Sequence, residues 1–196
     1  MANRDKLSEA IKEAWEYTVR ESYDRGLINS ERGLQVYFVM HLIKQLERQG
    51  TLENRFIYIE PSIQIQSEKT IYPDLVICNR QNIIGLIELK YKPKKTFDKL
   101  AGVKKDLENL ELFRYGENGA SLNKVKLIYD RYLGLGMHKN TYPLSANCLR
   151  VWGGVFKESQ TRRLFGTNKN CLQLEAQTSE GKGARIESTE DFRGVG

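Results

Sequence analysis

Apolar residues recur at helical spacing near the start of the chain. Leu7, Ile11, Ala14, Trp15, Thr18 and Val19 fall on one side and predict an amphipathic helix over about residues 4–24. Gly26 supplies its stop. Asn29 or Ser30 can cap a second helix, which places Glu31 in the first turn, where the helix dipole favours an acid. From Leu34 to Leu46 that helix carries Val36, Tyr37, Phe38, Val39, Met40, Leu42 and Ile43. It is apolar nearly all round at its middle, which predicts burial against a sheet.

Beyond Gly50 the pattern changes to short apolar runs. Phe56 to Ile59 and Ser62 to Ile65 read as extended segments broken at Pro61. The stretch from Ile71 to Lys90 then holds two runs rich in Ile, Leu and Val around the polar turn Asn79-Arg80-Gln81-Asn82, which predicts an antiparallel hairpin. Tyr91 to Lys95 reads as a loop. Thr96 or Asp98 can cap a third helix with Leu100, Val103, Leu107, Leu110 and Phe113 on one side. Gly116 to Asn123 is a turn region, and Val125, Leu127 and Tyr129 alternate as a strand. Gly134, Gly136 and Pro143 mark a long loop, within which Gly134 to His138 lacks the following helix that a phosphate-binding loop needs. Further strands are predicted at Cys148–Phe156 and about Cys171–Glu175.

The polar exceptions in the hairpin carry the chemistry. Asp74 opens the first run directly after Pro73, and Glu88 and Lys90 close the second. Period-two geometry puts Glu88 and Lys90 on one face and Leu89 on the other, and regular pairing brings Asp74 beside them. Two carboxylates at the end of an apolar sheet are costly to desolvate without compensation, and a divalent cation is the natural one. Mg²⁺ takes oxygen ligands and is usually held by one or two carboxylates, waters and substrate phosphate; Mn²⁺ is the expected substitute. Asp74, Glu88 and the backbone carbonyl of Leu89 are the candidate ligands. Lys90 is placed to position a water and to stabilise phosphate charge.

Composition narrows the setting. The 196 residues, 40% hydrophobic and 29% charged, suit one soluble domain over residues 1–177, followed by a polar, glycine-rich tail over 178–196 that is expected to be loosely ordered. Cys78, Cys148 and Cys171 are odd in number and scattered, which points to reduced thiols and a cytoplasmic protein. Two histidines, His41 and His138, leave little room for histidine-based metal or nucleophile schemes, and His41 reads as a core or rim residue. No apolar segment approaches a signal peptide or a membrane span. The net charge of +6 and pI near 9.1 are compatible with a polyanionic partner. Lys92, Lys94, Lys95, Lys99, Lys104 and Lys105 follow the acidic strand end, against only Asp98 and Asp106. They form the candidate nucleic-acid-binding segment.

Pro73-Asp74, thirteen intervening residues and Glu88-Leu89-Lys90, set in an order of helix, helix, three strands, helix, strand, resemble the PD-(D/E)XK nuclease superfamily. The resemblance spans roughly residues 28 to 132. It implies an α/β, restriction-endonuclease-like fold with a central mixed β-sheet flanked by α-helices. It also implies Mg²⁺-dependent hydrolysis of phosphodiester bonds, with DNA favoured over RNA and endonucleolytic cutting expected. Glu31 would match the helix-borne acid of that superfamily, assisting the metal or holding a water, and Gln35, a turn further on, could share its place. The rival readings are a nuclease-fold module that binds nucleic acid or a protein without cutting, and an enzyme of another kind. A homodimer would supply the two sites that cutting both strands requires, although no interface signature marks one.

Overall fold

The computed structural model describes residues 3–65, 69–111, 125–128, 141–142, 144–160, 164 and 170–191. Helix α1 (Asn3–Tyr17) runs on into a π-helical turn at Thr18–Tyr23. The Thr18 hydroxyl donates back to the Ala14 carbonyl at 2.7 Å where the winding changes. Helix α2 (Glu31–Arg48) starts at Ser30, whose Oγ accepts from the Gly33 N–H at 3.0 Å, so Ser30 is the cap. Its buried side, Leu34, Phe38, Leu42 and Leu46, packs on α1 and the sheet, and burying each such side chain stabilises the fold by about 1.5–3 kcal/mol. Burial all round does not occur. Val36 and Met40 are 55% and 38% exposed, because α1 and the sheet cover only one side of the helix.

The strands are β1 (Phe56–Ile59), β2 (Ser62–Ile65), β3 (Lys69–Ile71), β4 (Leu75–Cys78), β5 (Ile83–Thr96), β6 (Val125–Ile128), β7 (Thr141–Tyr142), β8 (Leu144–Lys157), β9 (Cys171–Thr178) and β10 (Arg185–Asp191). Six form a mixed sheet in the order β1-β4-β5-β8-β9-β10; four form a second sheet, β3-β2-β6-β7. In the first, β5, β8 and β9 are parallel neighbours and the remaining pairs are antiparallel. Pro61 and Pro73 explain the division. Each interrupts one of two paired segments, so β1 and β4 belong to one sheet and their continuations β2 and β3 to the other.

Helices α1 and α2 cover one face of the six-stranded sheet, over Leu75, Ile77, Ile87, Leu89, Val151, Leu172 and Leu174. The opposite face carries Val76, Leu86, Trp152 and Phe156, packed with Phe97, helix α3 (Val103–Glu111) and Ile63 and Ile71 of the second sheet. The molecule is thus mixed α/β with three α-helices among the described residues. None of these is long and apolar enough to cross a membrane. Cys78, Cys148 and Cys171 are buried, and none of them is in a disulfide among the described residues.

Several expectations need correction. The segment Tyr91–Lys95 is not a loop, because β5 continues through it to Thr96, held by the parallel partner β8. The third helix begins only at Val103, after a 3₁₀ turn at Phe97–Lys99. Ile71 belongs to β3, so the hairpin itself is β4–β5; its turn closes as expected, with Asn79 Oδ1 accepting from the N–H groups of Gln81 and Asn82 at 2.8 and 2.6 Å. The segment read as a loose tail contains β10, paired with β9 along its whole length. Phe113, Gly116–Asn123, Tyr129, Gly134–His138 and Pro143 lie outside the described residues.

Candidate active site

Strand β4 ends where β5 does not. Leu75 pairs with Ile87, so Asp74, one residue outward, stands across from Glu88 at the point where β5 loses its neighbour. Backbone N–H groups beyond that point would lack a ladder partner. Two acids take them. Asp74 Oδ2 accepts from the N–H of Leu89, and Glu31 Oε2, reaching in from the first turn of α2, accepts from the N–H of Tyr91 at 3.1 Å. Within a strand the N–H and C=O of one residue point to the same side, so the Leu89 carbonyl also faces the side on which Asp74 stands. The other Asp74 oxygen, Oδ1, accepts from Gln35 Nε2 at 2.6 Å.

Glu88 and Lys90 project from the opposite face of β5 to Leu89, towards α3. Glu88 is buried, and its Oε1 receives Asn109 Nδ2 at 3.5 Å. Burial pushes the Glu88 carboxyl up to about 8, helped by the charges of Asp74 and Asp106 and opposed by Asn109 and Lys90. Burial also raises Asp74, to about 6, against the pull of the Leu89 N–H. The two carboxyls titrate as a coupled pair, in which the charge of Asp74 adds to burial in raising Glu88.

Lys90 Nζ lies 3.6 Å from Glu31 Oε1 and 3.4 Å from Asp106 Oδ2. Burial alone would lower its pKa, but the charges of Asp106 and Glu31 outweigh that and raise it, so the amine is an ammonium. Asp106 was not singled out from the sequence beyond its charge. It is 8% exposed and its pKa is raised by burial; the Lys90 ammonium and the Trp152 indole N–H partly offset this, although neither Asp106 Oδ2 nor Trp152 Nε1 completes a hydrogen bond of regular geometry. Trp152 pairs with Glu88 in register, and its ring lies over Gly154, the partner of Lys90; a Cβ at Gly154 would clash with the ring.

Glu31, Asp74, Glu88 and Lys90 thus meet where β4 ends beside the middle of β5, brought from α2, β4 and β5, and Gln35 joins them. The lysines spread outward. Lys92, Lys94 and Lys95 lie exposed on the outer part of β5, Lys99 on the 3₁₀ turn, and Lys104 and Lys105 at the start of α3. Lys104 pairs with Glu108 at 3.8 Å on its own helix. His41 has no part in this site; it is buried against Ser22, 3.1 Å away, and stacks on Tyr17. Asp106 and Asn109 are the residues that sequence reasoning missed. Their one signal is that Asp106 falls inside the apolar spacing of Val103, Leu107 and Leu110, where a solvated acid does not belong.

Among the described residues no three His, Cys, Asp or Glu side chains form a ready-made metal cage. The donors at hand are two carboxylates with raised pKa values and the carbonyl of Leu89 in the middle of β5, all oxygen. That set suits a hard dication completed by water and anionic oxygen, and a cation there would offset the burial, and after it the charge of Asp74, that raise Glu88. No family model matches the chain, and no curated protein aligns with it significantly.

Proposed function

We propose that the protein is a metal-dependent nuclease that hydrolyses phosphodiester bonds, with DNA as substrate and internal cutting as its mode, and that its fold is restriction-endonuclease-like. The observation that carries this reading is the hydrogen bond from the Leu89 N–H to Asp74. It ties the Pro-Asp half of the motif to the Glu-x-Lys half at a single strand end, beside a lysine held as an ammonium. The order of elements supports the fold assignment: two helices, the antiparallel strands β1, β4 and β5, helix α3, then β8 parallel to β5.

In this reading Asp74, Glu88 and the Leu89 carbonyl hold Mg²⁺ or Mn²⁺, which when bound supplies a more acidic water and a counter-charge for phosphate. Lys90 directs its ammonium at the scissile phosphate and stabilises the charge that builds there. Glu31 fixes the height of the strand end through Tyr91 and orients Lys90 from the α2 side. The Asp74 carboxylate is oriented by Gln35 and Leu89, so it can bind without searching rotamers. The exposed lysines of β5, the 3₁₀ turn and α3 track the phosphate backbone. A pair of these chains would place two such sites on the two strands of a duplex.

The test is a gel assay on single-stranded, duplex and branched DNA and on RNA, with Mg²⁺, Mn²⁺ or EDTA. Metal-dependent cutting by the wild type that is lost in Asp74→Asn and in Glu88→Gln is expected, with Lys90→Ala slower by about 10²–10³-fold, the scale for losing one stabiliser of a transition state. Equal cutting by wild type and Asp74→Asn after stringent purification would assign the activity to a contaminant. Binding without cutting would favour the non-catalytic module.

A further inference from the structure

Helix α3 spends a core position on an acid. Asp106 lies between Val103 and Leu110 on the packed side of the helix, buried under the sheet. Removing a carboxylate from water costs several kcal/mol unless good partners compensate it. Among the described residues Asp106 has one cationic partner, Lys90, and its Oδ2 completes no regular hydrogen bond. One turn later Asn109 reaches Glu88. Two residues on one face of α3 therefore address Glu88 and Lys90 of β5, one each.

Their effect on Lys90 is directional. Its ammonium is shared between Asp106 on α3 and Glu31 on α2, and it makes no ion pair with Asp74 or Glu88, although Glu88 lies on the same face of the same strand. Once Asp74 and Glu88 are ionised, as they must be to hold a cation, a neighbouring lysine is drawn towards them by Coulomb attraction. Something must draw it off, and only Asp106 does so from the α3 side. We propose that Asp106 is a positioning residue of this site: it holds the Lys90 ammonium away from Asp74 and Glu88 and so keeps the position between the two carboxylates open for a divalent cation. The inference rests on the metal-site reading above and adds Asp106 to its side chains. Without Asp106, Lys90 swings onto Asp74 and Glu88 and acts as a built-in competitor of the metal.

A double-mutant cycle read by Mn²⁺ affinity tests this without reference to catalysis. Manganese binding is measured by electron paramagnetic resonance at one fixed pH for wild type, Asp106→Asn, Lys90→Met and the double variant. Asp106→Asn is expected to weaken binding about 10-fold in the presence of Lys90 and to have no effect in the Lys90→Met background, a coupling of the size seen between residues in contact. Asp106→Glu, which keeps the charge, should retain most of the affinity. If Asp106 acted only as a nearby negative charge, or only as a packing residue, Asp106→Asn would weaken binding equally with and without Lys90; that result, or no loss in either background, would overturn the proposal while leaving the metal site standing. A wild type that binds no Mn²⁺ would overturn the metal-site reading and this inference together.

Discussion

Asp74 accepts a hydrogen bond from the backbone N–H of Leu89, the residue that separates Glu88 from Lys90. One carboxylate thereby has two jobs in the proposed function: it closes the hydrogen-bond ladder where β4 stops, and it offers an oxygen ligand beside Glu88. The two jobs come apart on substitution.

Asp74→Ala leaves the Leu89 N–H and the Gln35 amide without an acceptor, and should cost about 1–3 kcal/mol of stability. Asp74→Asn keeps an acceptor for Leu89, lets the Gln35 amide turn to meet its new donor and removes a poorly solvated charge. It should be as stable as the wild type or slightly more so, while losing hydrolysis as fully as the alanine variant. Urea unfolding of the two variants, alongside the cutting assay, separates the roles.

The raised carboxyls give the stability a definite slope with pH. Asp74 and Glu88 hold protons up to about 6 and about 8 in the folded protein, whereas in the unfolded chain they release them near the ordinary carboxylate value of about 4. The folded state therefore binds more protons between these limits, and the contribution of both groups to stability falls as pH rises from about 4 through 8. Metal competes with those protons, so its affinity should climb over the upper part of the same range. Thermal melting from pH 5 to 9 should show a declining midpoint without metal and a shallower decline in Mg²⁺. A midpoint that rises across this range without metal would contradict the assignment.

The lysines beyond the acids should govern binding and leave the metal site alone. Lys94 and Lys95 are exposed on the outer end of β5. Changing both to alanine removes up to two phosphate contacts and should lower the slope of log K against log salt by about 1–2. Fluorescence anisotropy with labelled DNA at several KCl concentrations measures this. An unchanged slope would place the nucleic acid elsewhere.

How much of this was legible follows from periodicity. Glu88 and Lys90 could be put on one face because strands alternate strictly, but Asp74 stands across from Glu88 only because the β4–β5 ladder shifts by one residue between the pairs Cys78–Ile83 and Ile77–Gly85, a bulge that the sequence does not mark. Glu31 and Gln35 could be placed because a cap at Ser30 sets the phase of α2. Asp106 escaped because an amphipathic pattern is read from its apolar members, and one acid among them looks like noise; only the packing of α3 on β5 gives it meaning. Strand β10 escaped because Arg185-Ile-Glu-Ser-Thr-Glu-Asp191 is an edge strand, with water rather than core on much of its surface. The length of β5 escaped because Pro93 argues against a strand, and the parallel contact with β8 that overrides it comes from residues 60 positions away or more.

Where β5 outruns β4, no strand among the described residues pairs with its free side, and open edges invite other chains to add a strand. Here the invitation is withdrawn by charge. Glu31 and Asp74 occupy the N–H groups an incoming strand would use, and Pro93, next in line, has none to offer. The acids that make the site thus also keep the molecule from zipping onto its neighbours. Truncating both to alanine should therefore bring self-association along with inactivity, and light scattering of that double variant would tell a lost catalyst from a lost guard.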